Sequence, residues 1–588
     1  MKLTGQQRNA VQHMGHTVIT ACPGSGKTRT IIAKVLRCID ELSGTPRKVA
    51  CITYTNTAVH EIENRIRASG AATREGCYEV STIHAFCQAN ILGKYHWMTE
   101  AYKDGYIVMP SDHDAYMKVV KEIGDRYKLT EFARSKFGEL GRAPDGTPIS
   151  GVIPAMAALA FWDELQNQGY IDFCNIVYHS YRLVHDNPSI AHNLSCRFAY
   201  ILVDEFQDTS ALQVELLSRI HDVGHTIFFL VGDPEQSIYS FAGADRKLMD
   251  AFSQEIGAKG FPLSGNFRAT QPLVEHAERL IARHPPMVST SNTTAIDPSV
   301  FYEHTLDSFS AMTDYFLPFL EANKISYGNA AVLAPNWFIL RPLGKQLREY
   351  GIPVVGPGAR PYKRKYLLGR IAEQVCAYLE SSDPEILYRT EKELFMLASE
   401  LSGRASFRIF SYHGMRVVHR LMRQGEILRQ TYEGAVEWLH AVAPTFEEVL
   451  IEEEIIPVSY KGCLTESCNE MIAEMRVQNI DVTNMVFADL GILADPRKNM
   501  KLMTMHSAKG REFEAVAIIC AHDGLVPFYN YYNSLSHAGL EEARRLFYVA
   551  MTRAERALWI FSSFNNRRQP PSRFIQEIGL QVSRCRTI

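Results

Sequence analysis

Residues 21–28, Ala-Cys-Pro-Gly-Ser-Gly-Lys-Thr, follow a short apolar run that reads as a strand. A glycine-rich turn between strand and helix aims backbone N–H groups at anionic oxygens, and the helix dipole adds favourable field. In that setting Lys27 neutralises the β and γ phosphates of a nucleotide, and the Thr28 hydroxyl ligates Mg²⁺. The strict pattern has Gly at position 21, and Ala21 is small enough for the same tight turn. Far downstream, Val203-Asp204-Glu205 ends a second apolar strand. Asp204 is placed to hold the metal, and Glu205 to orient and deprotonate the attacking water. Residues 232–237 repeat the strand-then-polar-turn design and offer Gln236 to the water beside the γ-phosphate. Together these groups can hydrolyse a nucleoside triphosphate.

Such groups need a parallel sheet to position them. Apolar segments at 17–21, 49–53, 79–81, 200–204 and 226–233 predict strands, with helices opening at Lys27 and Ala58. A second alternating block predicts strands at 330–334, 500–505, 515–520 and 557–562. Residues 93–195 and 384–489 read as mainly helical insertions, one in each block. The expected fold is therefore α/β, with two lobes.

Bulk properties narrow the class. A chain of 588 residues implies roughly three or four domains. With 46% hydrophobic and 22% charged residues, its composition is that of an ordinary soluble protein. A net charge of −3 excludes a globally basic coat for nucleic acid but leaves room for a local basic groove. The sequence shows neither an apolar run of about 18 residues nor an apolar signal core at its start, so no membrane role is expected. Twelve cysteines are scattered without a Cys-x-x-Cys pair, and no His or Cys cluster completes a zinc site near Cys463 and Cys468. Reduced, mostly buried thiols in a cytoplasmic protein are expected.

In chain order, residues 3–7, 53–58, 81–86, 172–173, 203–208, 231–244, 266–268, 504–513 and 546–554 resemble the motifs of superfamily 1A DNA helicases of the UvrD/Rep/PcrA type. The resemblance spans nearly the whole chain. It implies two RecA-like P-loop NTPase lobes with parallel sheets: 1–92 and 196–274 form lobe 1A around insertion 1B (93–195), and 275–383 and 490–588 form lobe 2A around a reduced insertion 2B (384–489). It implies a DNA-dependent ATPase moving 3′ to 5′ on single-stranded DNA, acting at single-strand/duplex junctions with ATP and Mg²⁺.

By the same resemblance, ATP is held by Gln7, Ala21, Cys22, Pro23, Gly24, Ser25, Gly26, Lys27, Thr28 and Arg29. Phe267, in place of the family's usual Tyr, stacks on adenine, and Glu512 meets the ribose. Thr28 and Asp204 are the Mg²⁺ ligands, while Arg268 and Arg553 project from the second lobe onto the γ-phosphate. DNA contacts fall to Tyr54, Thr55, Asn56, Thr82, His84, Phe86, Tyr239, Phe241, Thr504 and His506. Ala242, Arg511 and Ala543 depart from the family pattern. With the shortened second insertion, they open an alternative: a DNA-stimulated ATPase serving as sensor or regulatory subunit of a partner nuclease, as in bacterial anti-phage systems of the Gabija type.

Overall fold

The computed structural model describes residues 2–69, 76–111, 113–238, 246–359, 362, 366–402, 411–478, 480, 482–483, 485–529, 535–563 and 570–581. They form two compact units, one of residues 1–295 and 534–552, the other of 296–533 and 553–588.

The first unit is built on a six-stranded parallel sheet of β1 (Thr17–Ala21), β2 (Lys48–Thr53), β3 (Tyr78–Thr82), β4 (Phe198–Val203), β5 (Ile227–Gly232) and β6 (Lys259–Leu263), in the order β6-β1-β5-β4-β2-β3. Central β4, Phe-Ala-Tyr-Ile-Leu-Val, is buried at every position, as a strand covered by helices on both faces requires. Helices α1 (Gly5–Gln12), α2 (Lys27–Glu41), α3 (Asn56–Ala68) and α4 (Ile83–Cys87) precede the insertion, whose last two are α5 (Phe173–Asp186) and α6 (Pro188–Arg197). The insertion has a core of its own around Phe137, Phe161 and Trp162.

The second unit carries another six-stranded parallel sheet: β7 (Val300–Thr305), β8 (Ala330–Ala334), β9 (Val354–Val355), β10 (Met500–Thr504), β11 (Phe513–Ile518) and β12 (Ala554–Ser563), ordered β7-β12-β11-β8-β10-β9. Its helical body begins with Leu367–Ser381, earlier than the expected residue 384, because Leu368, Ile371 and Val375 join the core around Trp438.

The boundary between units also differs from expectation. Residues 265–266 pair in parallel with 288–289, which keeps the chain in the first unit to residue 295. The helix His537–Met551 belongs there as well: its Arg545 Nε donates to the Ser237 carbonyl at 2.8 Å, and its Tyr548 hydroxyl accepts from Arg283 at 2.8 Å. Arg268 therefore lies in the same unit as Lys27 and not in a second lobe.

A buried lysine fastens α1 to α2. Lys34 is 1% exposed, and its Nζ donates to the carbonyls of Val11 (3.3 Å) and His13 (2.6 Å), which end α1. A cation on the last carbonyls of a helix satisfies groups with no intrahelical partner. Lys34→Met should strand both carbonyls and lower stability by about 1–3 kcal/mol in a denaturant titration; an unchanged midpoint would contradict this role.

Candidate nucleotide-hydrolysis site

The loop between β1 and α2 has Gly24 at φ 68° and Gly26 at φ 78°, a backbone that side-chain-bearing residues rarely adopt. A Cβ at Gly24 would stand 2.7 Å from Arg268 Cβ and 2.8 Å from Asn266 Oδ1, so the loop also demands glycine sterically. Gly26 caps α2 without any side-chain hydrogen bond, whereas α1, α3 and α4 are capped by Thr4, Thr55 and Thr82. The α2 first turn thus has no side-chain cap at Gly26, which suits an anion at its N-terminus. Ser25 Oγ, inside this loop, is buried without a hydrogen-bond partner. A triphosphate fits this cradle.

Lys27 Nζ meets both carboxylate oxygens of Glu205 at 2.8 Å. Burial opposes the lysine's charge, but Glu205, Asp233 and Asp204 more than offset it and raise its pKa. Glu205 sits in the left-handed backbone region, φ 50°, strain of the kind found where a side chain must be aimed. Gln207 Nε2 donates to Glu205 Oε2 at 2.6 Å, while Gln207 Oε1 accepts from Asp233 N at 2.9 Å. Asp233 in turn accepts from Gln236 Nε2 at 2.6 Å. Lysine, both acidic segments and the candidate water-sensing glutamine are thereby one hydrogen-bonded chain.

Arg283, absent from the sequence expectations, anchors that chain. Its Nη2 pairs with Asp233 Oδ1, Nη1 donates to the Ala21 carbonyl at 3.2 Å, and Nε donates to Tyr548. Asp233 is fully buried and the Arg283 side chain is 8% exposed. Burial works against the guanidinium charge, yet Asp233 and Tyr548 hold its pKa above the ordinary value. The sequence gives little sign of this role, since Arg283 lies outside the motif segments and just past a helix, Gln271–Leu280.

Asp204 lies at the end of β4, its Oδ1 accepting from Glu205 N at 2.9 Å. Burial, then the neighbouring charge of Glu205, pushes its carboxyl up to about 7. A divalent cation is the group that suits two adjacent, desolvated carboxylates, so Asp204 with Thr28 fits a Mg²⁺ site.

The base-binding expectation is reshaped. Gln7 is 1% exposed; its Oε1 accepts from Thr4 N (3.0 Å) and its Nε2 donates to Ser25 O (2.9 Å), so it braces the loop as well as α1. Phe267 keeps an exposed ring, its N–H donates to the Gly24 carbonyl at 2.8 Å, and Arg29 lies 6.0 Å from the ring centre. Arg268 Nη1 donates to the Thr552 carbonyl at 3.1 Å. In the second unit Glu512 is exposed, and Arg553 is buried with Nη1 donating to the Arg511 carbonyl at 3.3 Å.

A cleft of about 500 Å³ in the first unit gathers Tyr54, Thr55, Thr82, His84 and Phe173. His84 and Phe173 meet edge to face at 5.5 Å, and burial lowers the His84 pKa to about 4. Phe86 does not join them: it is fully buried and packs on Phe198 in the core, so no base can reach its face. Tyr239, Phe241 and the Asn56 side chain lie outside the described part of the structure. In the second unit Thr504 is buried and bonded to Ser507 at 2.7 Å, with His506 half-buried in the turn beyond it. A further cleft there, about 540 Å³, is lined by Trp337, Arg341 and Lys345, an i, i+4, i+8 row on one helix that the motif spacing does not mark.

Two expectations follow. Arg283→Ala leaves Asp233 buried and unpaired and should cost about 3–5 kcal/mol of stability. Arg283→Lys restores a charge but cannot serve three acceptors at once; it should keep most of the stability yet lose kcat for ATP by on the order of 100-fold, with nucleotide affinity little changed. Equal loss in melting and in kcat for the two variants would refute the positioning role. Asp204 holds its proton more tightly folded than unfolded. Its contribution to stability is therefore full below the ordinary carboxylate range and lost as pH rises through about 7. Without nucleotide or metal, Asp204→Asn should melt about 2–4 °C higher than the parent at pH 8, the gain vanishing toward pH 4.

Residues 3–141 and 154–257 match the UvrD/REP helicase N-terminal domain, and residues 470–565 match the UvrD-like helicase C-terminal domain. Among similar proteins, the DNA helicase II of Rickettsia typhi is 24% identical over 652 residues, covering 99% of this chain and 96% of its own length. The ATP-dependent DNA helicase PcrA of Staphylococcus aureus is 24% identical over 626 residues, covering 96% and 84%. With both terminal domains matched in order around the site just described, the chain belongs to the UvrD-like helicases of superfamily 1.

Proposed function

We propose that this chain is an ATP-dependent DNA helicase that moves 3′ to 5′ along single-stranded DNA. The observation that carries the reading is shared strand ends. Ile52 and Val203 are in register across β2 and β4, as are Thr53 and Thr82 across β2 and β3. Asp204 therefore leaves the same sheet edge as Tyr54 and the Thr82–His84 turn, and Asp204 N donates to the Ile52 carbonyl at 2.8 Å. Ligands of parallel sheets bind beyond the carboxyl ends of the strands, so hydrolysis and strand contact share one rigid edge.

A triphosphate in the loop competes for Lys27 and releases the Glu205 carboxylate, which Gln207 continues to hold. Glu205 then takes the proton of the attacking water, Gln236 orients it, and Arg268, in the same unit, offsets charge at the γ-phosphate. Thr28 and Asp204 would hold Mg²⁺, which would supply Lewis-acid neutralisation of the phosphate oxygens. On the DNA side, Tyr54 and Phe173 offer π-faces, each contributing on the order of 1–3 kcal/mol per stacked base. His84 is neutral at pH 7 and donates a hydrogen bond without charge, whereas Arg341 and Lys345 meet phosphates.

Glu205→Gln should reduce DNA-stimulated kcat by at least about 100-fold while ATP still binds; retained turnover would remove Glu205 as base. The parent should displace a strand from a 3′-tailed duplex and not from a 5′-tailed or blunt one. Stimulated hydrolysis without displacement would instead favour a sensor subunit beside a nuclease. For single-strand affinity, Lys345→Ala should flatten the salt dependence by about one unit of log–log slope. His84→Ala should weaken binding at unchanged slope, and a slope change there would contradict a neutral imidazole.

A further inference from the structure

At the sheet edge opposite the nucleotide, His192, Cys196 and His225 bring their ligand atoms within 4.8 Å of one another, all three side chains being exposed. His192 and Cys196 are four residues apart on α6 and so share one face of the helix. His225 comes from the turn before β5, and its ring meets that of His192 edge to face at 5.7 Å. Cys196 Sγ lies 3.5 Å from His192 Nε2. A tetrahedral ion with Zn–S near 2.3 Å and Zn–N near 2.05 Å requires a sulfur–nitrogen edge of about 3.6 Å. The pair is already spaced as that edge.

The backbone behind the cluster is held firmly. Arg47 donates to the carbonyls of Cys196 (2.9 Å), Ser195 (2.8 Å) and His225 (2.6 Å), and His225 N donates to Ser195 Oγ at 3.2 Å. One guanidinium thus fixes both ligand-bearing segments. Among the described cysteines, Cys196 alone is exposed. An exposed thiol on a helix, facing two imidazoles, is an arrangement that packing does not demand.

The geometry points to a zinc-binding site made of His192, Cys196 and His225, with water in the fourth position. On binding, the Cys196 thiol gives its proton to solvent as the sulfur–metal bond forms, so apparent affinity rises with pH. The ion ties the end of α6 to the turn before β5. The six residues of β4 separate it from Asp204 by about 20 Å, which makes it distinct from the Mg²⁺ site in both place and ligand chemistry.

The test is titration of the metal-stripped full chain with Co²⁺ and Zn²⁺. One equivalent of Co²⁺ should produce a thiolate-to-cobalt charge-transfer band that Zn²⁺ abolishes. Cys196→Ser should eliminate the band, and His225→Ala should weaken Co²⁺ binding at least about tenfold. Zn²⁺ should also slow alkylation of Cys196, read by peptide mass spectrometry, at an unchanged melting temperature for both variants before metal is added. No band in the parent, or a band that survives Cys196→Ser, would overturn the site; affinity unaltered by His225→Ala would overturn its third ligand.

Discussion

Negative charge kept away from water at the ends of β4 and β5 is the constraint around which the first unit is organised. Asp204 and Asp233 are buried, and Glu205 stands between Asp204 and Lys27. A desolvated carboxylate is tolerated only with a partner or with its proton. The structure uses both solutions. Asp233 is matched by Arg283, Glu205 by Lys27, and Asp204 keeps an elevated proton affinity until a cation arrives. An apolar edge would be more stable, and it would have nothing with which to bind metal or activate water.

The same electrostatic arrangement explains why the site is rigid where it must be and exchangeable where ligands enter. Asp233 is held from several sides: its own N–H donates to Gln207 Oε1, and its carboxylate accepts from Glu235 N, Gln236 Nε2 and Arg283. Lys27, by contrast, is held by Glu205, a partner that a more highly charged triphosphate can displace. In the proposed mechanism, exchange at Lys27 with constancy at Asp233 would let Glu205 change partners without losing its orientation, since Gln207 spans Glu205 and Asp233.

Much of this was legible from sequence for a physical reason. β1 and β8 stand out as short runs of apolar and small residues, β8 buried at every position, and their limits agree with the expected 17–21 and 330–334. Phosphate chemistry demands glycine at fixed offsets, which marks Gly24 and Gly26. Less visible was anything decided by tertiary packing. Phe86 carries the same local signature as a strand-contacting aromatic, yet its position one turn into α4 directs it at Phe198. The assignment of His537–Met551 to the first unit, and of Leu367–Ser381 to the helical body, depends on partners hundreds of residues or several helices away.

Arg283 shows where motif reading stops and why. A motif records residues whose chemistry is tied to a short stretch of backbone, as Lys27 is to its loop. Arg283 acts through three acceptors that the chain supplies from positions 21, 233 and 548, and no spacing rule connects them. Its long side chain makes its own backbone position nearly irrelevant; any nearby segment able to present a guanidinium to Asp233 would serve. What is constrained is the charge at that point in space, because an unpaired Asp233 would either take up a proton or draw Lys27 from Glu205. In either case Gln236 would lose the carboxylate oxygen that accepts from its Nε2. Arg283 is therefore a positioning residue for the proposed catalytic groups, acting through Asp233.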